Sequence, residues 1–150
     1  MVNRFQTGMQ GVYLVAAELT YRGFIVSVTS RNAFGADLLV TDQRCQRTYS
    51  VQVKTNHQVS NCWLLSEHAR NIKSPTHVYV FVNLKKDQRP EYYVVPSEFV
   101  ATHVLEEKQK NSTFYSFGRS DAKLDSGWDV FENPGPPPEP QIDSTEQMST

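Results

Sequence analysis

The sequence predicts an α/β (α+β) fold with a mixed central sheet flanked by helices, and three observations carry that prediction. Residues 8–23 repeat their apolar side chains with a helical period. Three short runs rich in β-branched residues follow, separated by polar turns. A later run, Val78-Tyr79-Val80-Phe81-Val82, is apolar at successive positions, as strands covered on both faces are.

In the first segment Val12, Val15, Ala16 and Leu19 fall at i, i+3, i+4 and i+7, and Gly23 supplies a helix stop. The strands are predicted at Phe24–Ser30, Ala36–Thr41 and Arg47–Thr55; the last two, joined by Asp42–Gln46, make an antiparallel hairpin. A looser region holding Trp63-Leu64-Leu65 and a short helix near Glu67–Ile72 precede the apolar strand. Glu91–Val95 reads as a fifth strand, and Pro96-Ser97 opens a helix with Ser97 at its N-cap. Residues 1–132 suit one core, and residues 133–150 read as a disordered, proline-rich acidic tail whose one aliphatic residue, Ile142, cannot offset the entropy of ordering.

Composition excludes several classes. No window offers the roughly 20 uninterrupted apolar residues of a membrane span, because Arg4, Glu18, Arg22 and Arg31 punctuate the most hydrophobic region. The N-terminus lacks the apolar region of a secretory signal, so a cytoplasmic location is expected. Cys45 and Cys62 are too few for a disulfide scaffold and lack paired zinc spacing. The tail carries Glu139, Asp143 and Glu146 without Lys or Arg, which leaves residues 1–133 with 15 basic and 13 acidic side chains, a mildly basic body that suits a polyanion partner.

Alternation along the third strand places Val51 and Val53 on one face and Ser50, Gln52 and Lys54 on the other. Pairing across the Asp42–Gln46 turn brings Asp37 opposite residues 51–54, so an Asp, an amide-bearing side chain and a Lys converge on one face. Arg31 and Asn32, in the loop leading to Asp37, and Asn56, just beyond Lys54, are candidate contacts to nucleic acid. His57 and Gln58 line the same region. Trp63, Trp128, Tyr92 and Tyr93 read as core or sheet aromatics rather than stacking platforms.

These residues resemble a known family. A helix containing Glu, then Gly35-Ala36-Asp37-Leu38-Leu39-Val40, a turn and Val51-Gln52-Val53-Lys54-Thr55 look like the PD-(D/E)xK nuclease superfamily, which includes type II restriction enzymes and archaeal Holliday-junction resolvases. The resemblance covers residues 8–96 and implies a restriction-endonuclease-like αβββαβ core. It implies metal-assisted phosphodiester hydrolysis of nucleic acid, DNA first, with Mg²⁺ or Mn²⁺ held by Asp37, Gln52, the Val53 carbonyl and, through water, Glu18 of the helix. Lys54 would position the attacking water and stabilise charge on the phosphate. The sequence departs from the family at two places: neutral Gln52 stands where Asp or Glu is usual, and Val12 follows Gly11 where many relatives have Glu.

Those departures support an alternative, a catalytically degenerate module that keeps the fold and binds nucleic acid or a protein partner. A third reading makes Asp37 and Lys54 an internal ion pair of a structural or immunity-type protein. An active enzyme of this size would pair two copies, for which the Tyr92–Val95 strand offers an edge, or rely on a targeting partner.

Overall fold

The computed structural model describes residues 1–30, 35–132, 135, 139 and 140. Arg31, Asn32 and most of the 133–150 tail lie outside the described residues.

The first helix, α1, spans Arg4–Tyr21 and begins a turn earlier than its apolar period suggests. Asn3 sets that start: its Oδ1 accepts from the Gln6 N–H at 2.9 Å, and the Gln6 side chain accepts from the Asn3 N–H at 3.0 Å. This reciprocal pair is a capping box. At the other end Gly23 takes φ +97°. That left-handed turn lets the Gly23 N–H reach the Thr20 carbonyl and the Phe24 N–H reach Leu19, a Schellman closure.

Strands β1 (Ile25–Val28), β2 (Leu38–Thr41) and β3 (Thr48–Asn56) form an antiparallel meander in which Val28 faces Leu38 and Leu38 faces Val51. The β2–β3 turn is built on Asp42, whose carboxylate accepts from the N–H groups of Arg44, Gln46 and Arg47. A four-residue strand, β4 (Cys62–Leu65), follows β3, where the sequence suggests only a loose segment. The expected short helix is a 3₁₀ turn at Glu67–Arg70. Strand β5 (His77–Asn83) pairs parallel with β3 and antiparallel with β6 (Glu91–Pro96), giving a mixed five-stranded sheet in the order β1-β2-β3-β5-β6. All seven residues of β5 are buried, as its unbroken apolar run requires.

Helix α2 (Ser97–His103) starts where expected, but Ser97 does not cap it. The Ser97 hydroxyl instead donates to the Ser74 carbonyl at 2.8 Å and accepts from the Ser74 N–H at 3.0 Å, fastening the loop before β5. Strands β7 (Leu105–Gln109) and β8 (Ser112–Gly118) join β4 in a second antiparallel sheet, ordered β4-β8-β7. Every residue of β7 is exposed, so no alternation of polarity announces it. A short helix, α3 (Arg119–Ala122), and a 3₁₀ turn at Trp128–Val130 complete the described elements.

Two apolar layers cover the central sheet. Val12, Val15 and Leu19 of α1 pack on Leu38, Val40, Val51, Val53, Val78, Val80 and Val82. On the opposite face Tyr79, Phe81 and Val95 meet Trp63, Val100 and Phe117. Val94 and Val95 are buried, and the backbone of Val94 is held by the Ser126 hydroxyl at 3.0 Å and the Gly127 N–H at 3.1 Å. The strand expected to offer an edge to a second copy is thus occupied there, and β1 is the opposite edge. Among the described residues no helix is long and apolar enough to cross a membrane.

Helix α1 approaches β3 most closely at Gly11, where a methyl group would overlap the Thr55 side chain. An exposed helical Gly→Ala change usually stabilises by about 1 kcal/mol. Here the collision reverses the sign: Gly11→Ala should destabilise by about 1–3 kcal/mol, the range for overpacking. Thermal melts should show a lowered Tm that a second substitution, Thr55→Ala, largely restores.

Candidate functional site

Strand β2 begins at Leu38, opposite Val51, whereas β3 runs on past that level to Asn56. Asp37 sits at this fork. Its N–H donates to the Val51 carbonyl at 2.8 Å, its carbonyl accepts from the Thr29 N–H at 3.0 Å, and its Oδ2 accepts from the Val53 N–H at 2.8 Å. The Thr29 hydroxyl adds a 2.7 Å bond to the Ala36 carbonyl. The carboxylate therefore completes the edge of β3 in place of a next β2 residue. By the two-residue period of a strand, the Val53 carbonyl points to the same side as its N–H, toward the fork.

Gln52 and Lys54 lie on the face opposite Val51 and Val53, level with Tyr79 and Phe81 of β5. Asp37, one step beyond Leu38, shares that face. The structure thus brings Asp37, Gln52 and Lys54 together, with the Val53 backbone between them. Lys54 has its pKa lowered from 10.5: burial disfavours the ammonium, and the Asp37 charge opposes that shift. The direct ion pairs of the described residues involve Arg22, Arg47, Arg70, Lys85 and Arg119, and Asp37 with Lys54 is not among them.

Glu18 does not join this group. It lies on α1, which covers the other face of the sheet, and pairs with Arg22 at 3.6 Å. Its charge is felt by Tyr92 of β6, whose pKa is raised first by burial and then by Glu18. Val12 is buried in the α1 core, so the residue after Gly11 faces the sheet interior. The part of α1 that reaches Lys54 is its first turn: Arg4 and Thr7 line a cleft of about 720 Å³ with Lys54, Thr55, Asn56, His57, Trp63 and Leu64. Glu18 is eleven residues beyond Thr7, about 16 Å along the helix axis.

Asn56 lines the cleft but has a structural duty as well. Its Nδ2 donates to the Cys62 carbonyl at 2.9 Å and to Asn83 Oδ1 at 3.0 Å, tying the end of β3 to β4 and β5. Asn83 Nδ2 in turn donates to Ser60 O and Glu91 Oε2. Burial raises the Glu91 pKa, but hydrogen bonds from Asn83, Lys85 and Tyr93 and the Arg119 charge outweigh it and hold the carboxyl below 4.5. Trp63 is buried, with Nε1 donating to the Val82 carbonyl at 3.0 Å, which confirms it as a core aromatic. Arg4 and Thr7 are the cleft residues that periodicity misses. The Asn3-x-x-Gln6 capping box is the signal that locates them, because it moves the helix start to Arg4.

No family model matches the chain, and no curated protein sequence does. Solved structures do. Hjc, a Holliday junction resolvase from the archaeal hyperthermophile Archaeoglobus fulgidus, is similar with a TM-score of 0.50 and 12% identity, over 79% of this chain and 88% of that one. The bacterial homing endonuclease I-Ssp6803I is similar with a TM-score of 0.54 and 13% identity, over 87% and 91%. The chain thus shares the fold of these two structures, a mixed α+β architecture around a five-stranded sheet.

Two pH dependences follow from buried groups on this face. The folded state depresses the pKa of Lys54 below 10.5, so the unfolded chain binds more protons between the folded value and 10.5 and stability rises with pH through that window. Lys54→Met should raise Tm by a few degrees at pH 7 and by progressively less as pH nears 10.5. His77, whose Nδ1 lies 2.7 Å from the Ser50 hydroxyl, has its pKa lowered from 6.5 by burial. Stability should therefore fall as pH drops below 6.5, and His77→Gln should flatten that fall in melts at pH 5 to 7.

Proposed function

We propose that the chain is a divalent-metal-dependent endonuclease acting on nucleic acid, with DNA as the polymer. One observation carries the proposal: the Asp37 carboxylate is anchored by the Val53 N–H at the point where β2 and β3 part, on the same face as Gln52 and a half-buried Lys54. The two similar folds, a resolvase and an endonuclease by name, support the same reading.

The donor set suits Mg²⁺ or Mn²⁺. The Asp37 carboxylate, the Gln52 amide oxygen and the Val53 carbonyl are all hard oxygens, and Mg²⁺ commonly binds through one or two carboxylates completed by substrate phosphates and water. When bound, the ion would polarise a phosphoryl oxygen and lower the pKa of water. Of the two carboxylates the resemblance implies, Asp37 lies at this group, while Glu18 pairs with Arg22 on the helix that covers the other face. Lys54 meets the phosphate as a desolvated cation. An incoming phosphodiester anion favours its protonated form and receives its hydrogen bonds, and the ammonium then stabilises charge developing on the phosphoryl oxygens.

Cleavage of plasmid and short branched or linear DNAs should require Mg²⁺ or Mn²⁺ and stop with EDTA. Asp37→Ala and Lys54→Ala should each reduce it at least a hundredfold, the scale of losing one charge-stabilising group. Activity unchanged in either variant sinks that residue's assignment.

The single carboxylate favours a second reading, a nuclease-fold module that binds nucleic acid or a protein partner without cutting it. Melts in EDTA, Mg²⁺ and Mn²⁺ separate the two. A metal-dependent rise in Tm that disappears in Asp37→Ala supports the enzyme, because a ligand stabilises only the state that binds it. No rise, together with DNA binding and no cleavage, supports the module.

A further inference from the structure

The cleft beside Lys54 is larger than one phosphate requires, and its lining is mixed in kind. One wall is the first turn of α1 with the residues before it, which contribute Arg4, Thr7 and the exposed Met1 and Val2; Lys54 and Thr55 lie between, and beyond them stand His57 and Trp63 and Leu64 of β4. Among the described lining residues there is no Asp or Glu. Arg4 is exposed and forms no ion pair among the described residues, whereas Lys85 and Arg119 are both held by Glu91. Helix α1 carries no acid in its first turn, so nothing neutralises Arg4 locally. The Thr55 hydroxyl turns away from the cleft, packed against Gly11 of α1, and has no hydrogen-bond partner. Leu64 is 54% exposed.

Cations interleaved with the exposed apolar side chains of Met1, Val2 and Leu64 suit a ligand that alternates anionic and apolar parts. A free phosphate uses only the cations. A nucleic-acid strand uses both, because its phosphates repeat along one side while its sugars and bases turn outward. We propose that Arg4 and His57 form a second anion-binding point, which takes the phosphate next to the one that Lys54 meets. The strand passes between the first turn of α1 and β4, with Leu64 against its sugars or bases. This rests on the nucleic-acid reading above and adds to it two positioning residues and a path.

The test is fluorescence anisotropy of a short labelled DNA duplex, titrated with wild type, Arg4→Gln and His57→Gln in EDTA across a salt series. Lys110→Gln, at the turn of the β7–β8 hairpin, serves as control. Each phosphate contact on duplex DNA contributes about 0.9 to the slope of log K against log salt. Arg4→Gln should lower the slope by about that amount and weaken binding at every salt concentration, with the control unchanged. His57→Gln should weaken binding less than Arg4→Gln does. Binding and slope equal to wild type in Arg4→Gln overturn the proposal while leaving the nuclease reading intact. DNA binding that depends on Arg4 without any cleavage supports the subsite and overturns the nuclease reading. Inorganic phosphate that displaces the duplex at matched ionic strength as completely as unlabelled duplex does would reduce the cleft to a phosphate site and overturn the strand path.

Discussion

The hydrogen bond from the Val53 N–H to the Asp37 carboxylate, 2.8 Å long, is the constraint on which the site depends. Strand β3 belongs to an antiparallel meander on one side and a parallel pair on the other, and at Asp37 it loses its antiparallel neighbour. An edge opened in the middle of a sheet leaves backbone groups unpaired, which costs free energy when they are screened from water. The Asp37 carboxylate removes that cost at Val53 and, in the same act, fixes its own position. The opening then admits the first turn of α1 and strand β4 to either side of Lys54. One polar contact thus serves both sheet integrity and placement of the face that carries Gln52 and Lys54.

Charge in this region is arranged unusually for a hard-cation site. The Asp37 carboxylate faces a half-buried lysine, and cations rather than acids line the adjoining cleft. Such a balance is weak toward a free metal ion and favourable toward a polyanion, so a cation of the kind proposed would be completed by the phosphate that arrives with it. Gln52 fits that arrangement, since it adds an oxygen donor without adding charge.

Much of the core was legible because its signals are periodic. The i, i+3, i+4, i+7 pattern of α1, the alternation of Val51 and Val53 with Gln52 and Lys54, and the unbroken apolar run of β5 each report burial directly. What escaped is what burial does not write. Strands β7 and β8 are largely exposed, so their pairing leaves little polarity pattern. Ser97 resembles a helix cap locally, yet a loop 23 residues earlier claims its hydroxyl. Glu18 stands on the right helix but at the wrong end and on the wrong side of the sheet, a fact set by how α1 crosses β3 and not by spacing along the chain. Arg4 was hidden because the apolar stripe begins later than the helix that carries it.

The burial of Lys54 has a consequence for how such a chain changes over generations. Partial burial disfavours the Lys54 ammonium, so an apolar residue of similar length at that position would relieve a cost to the fold. A lineage released from the need for this group would find its removal easy and rewarded by a firmer fold. Position 54 is therefore the place in this protein where a change of use would leave its first mark.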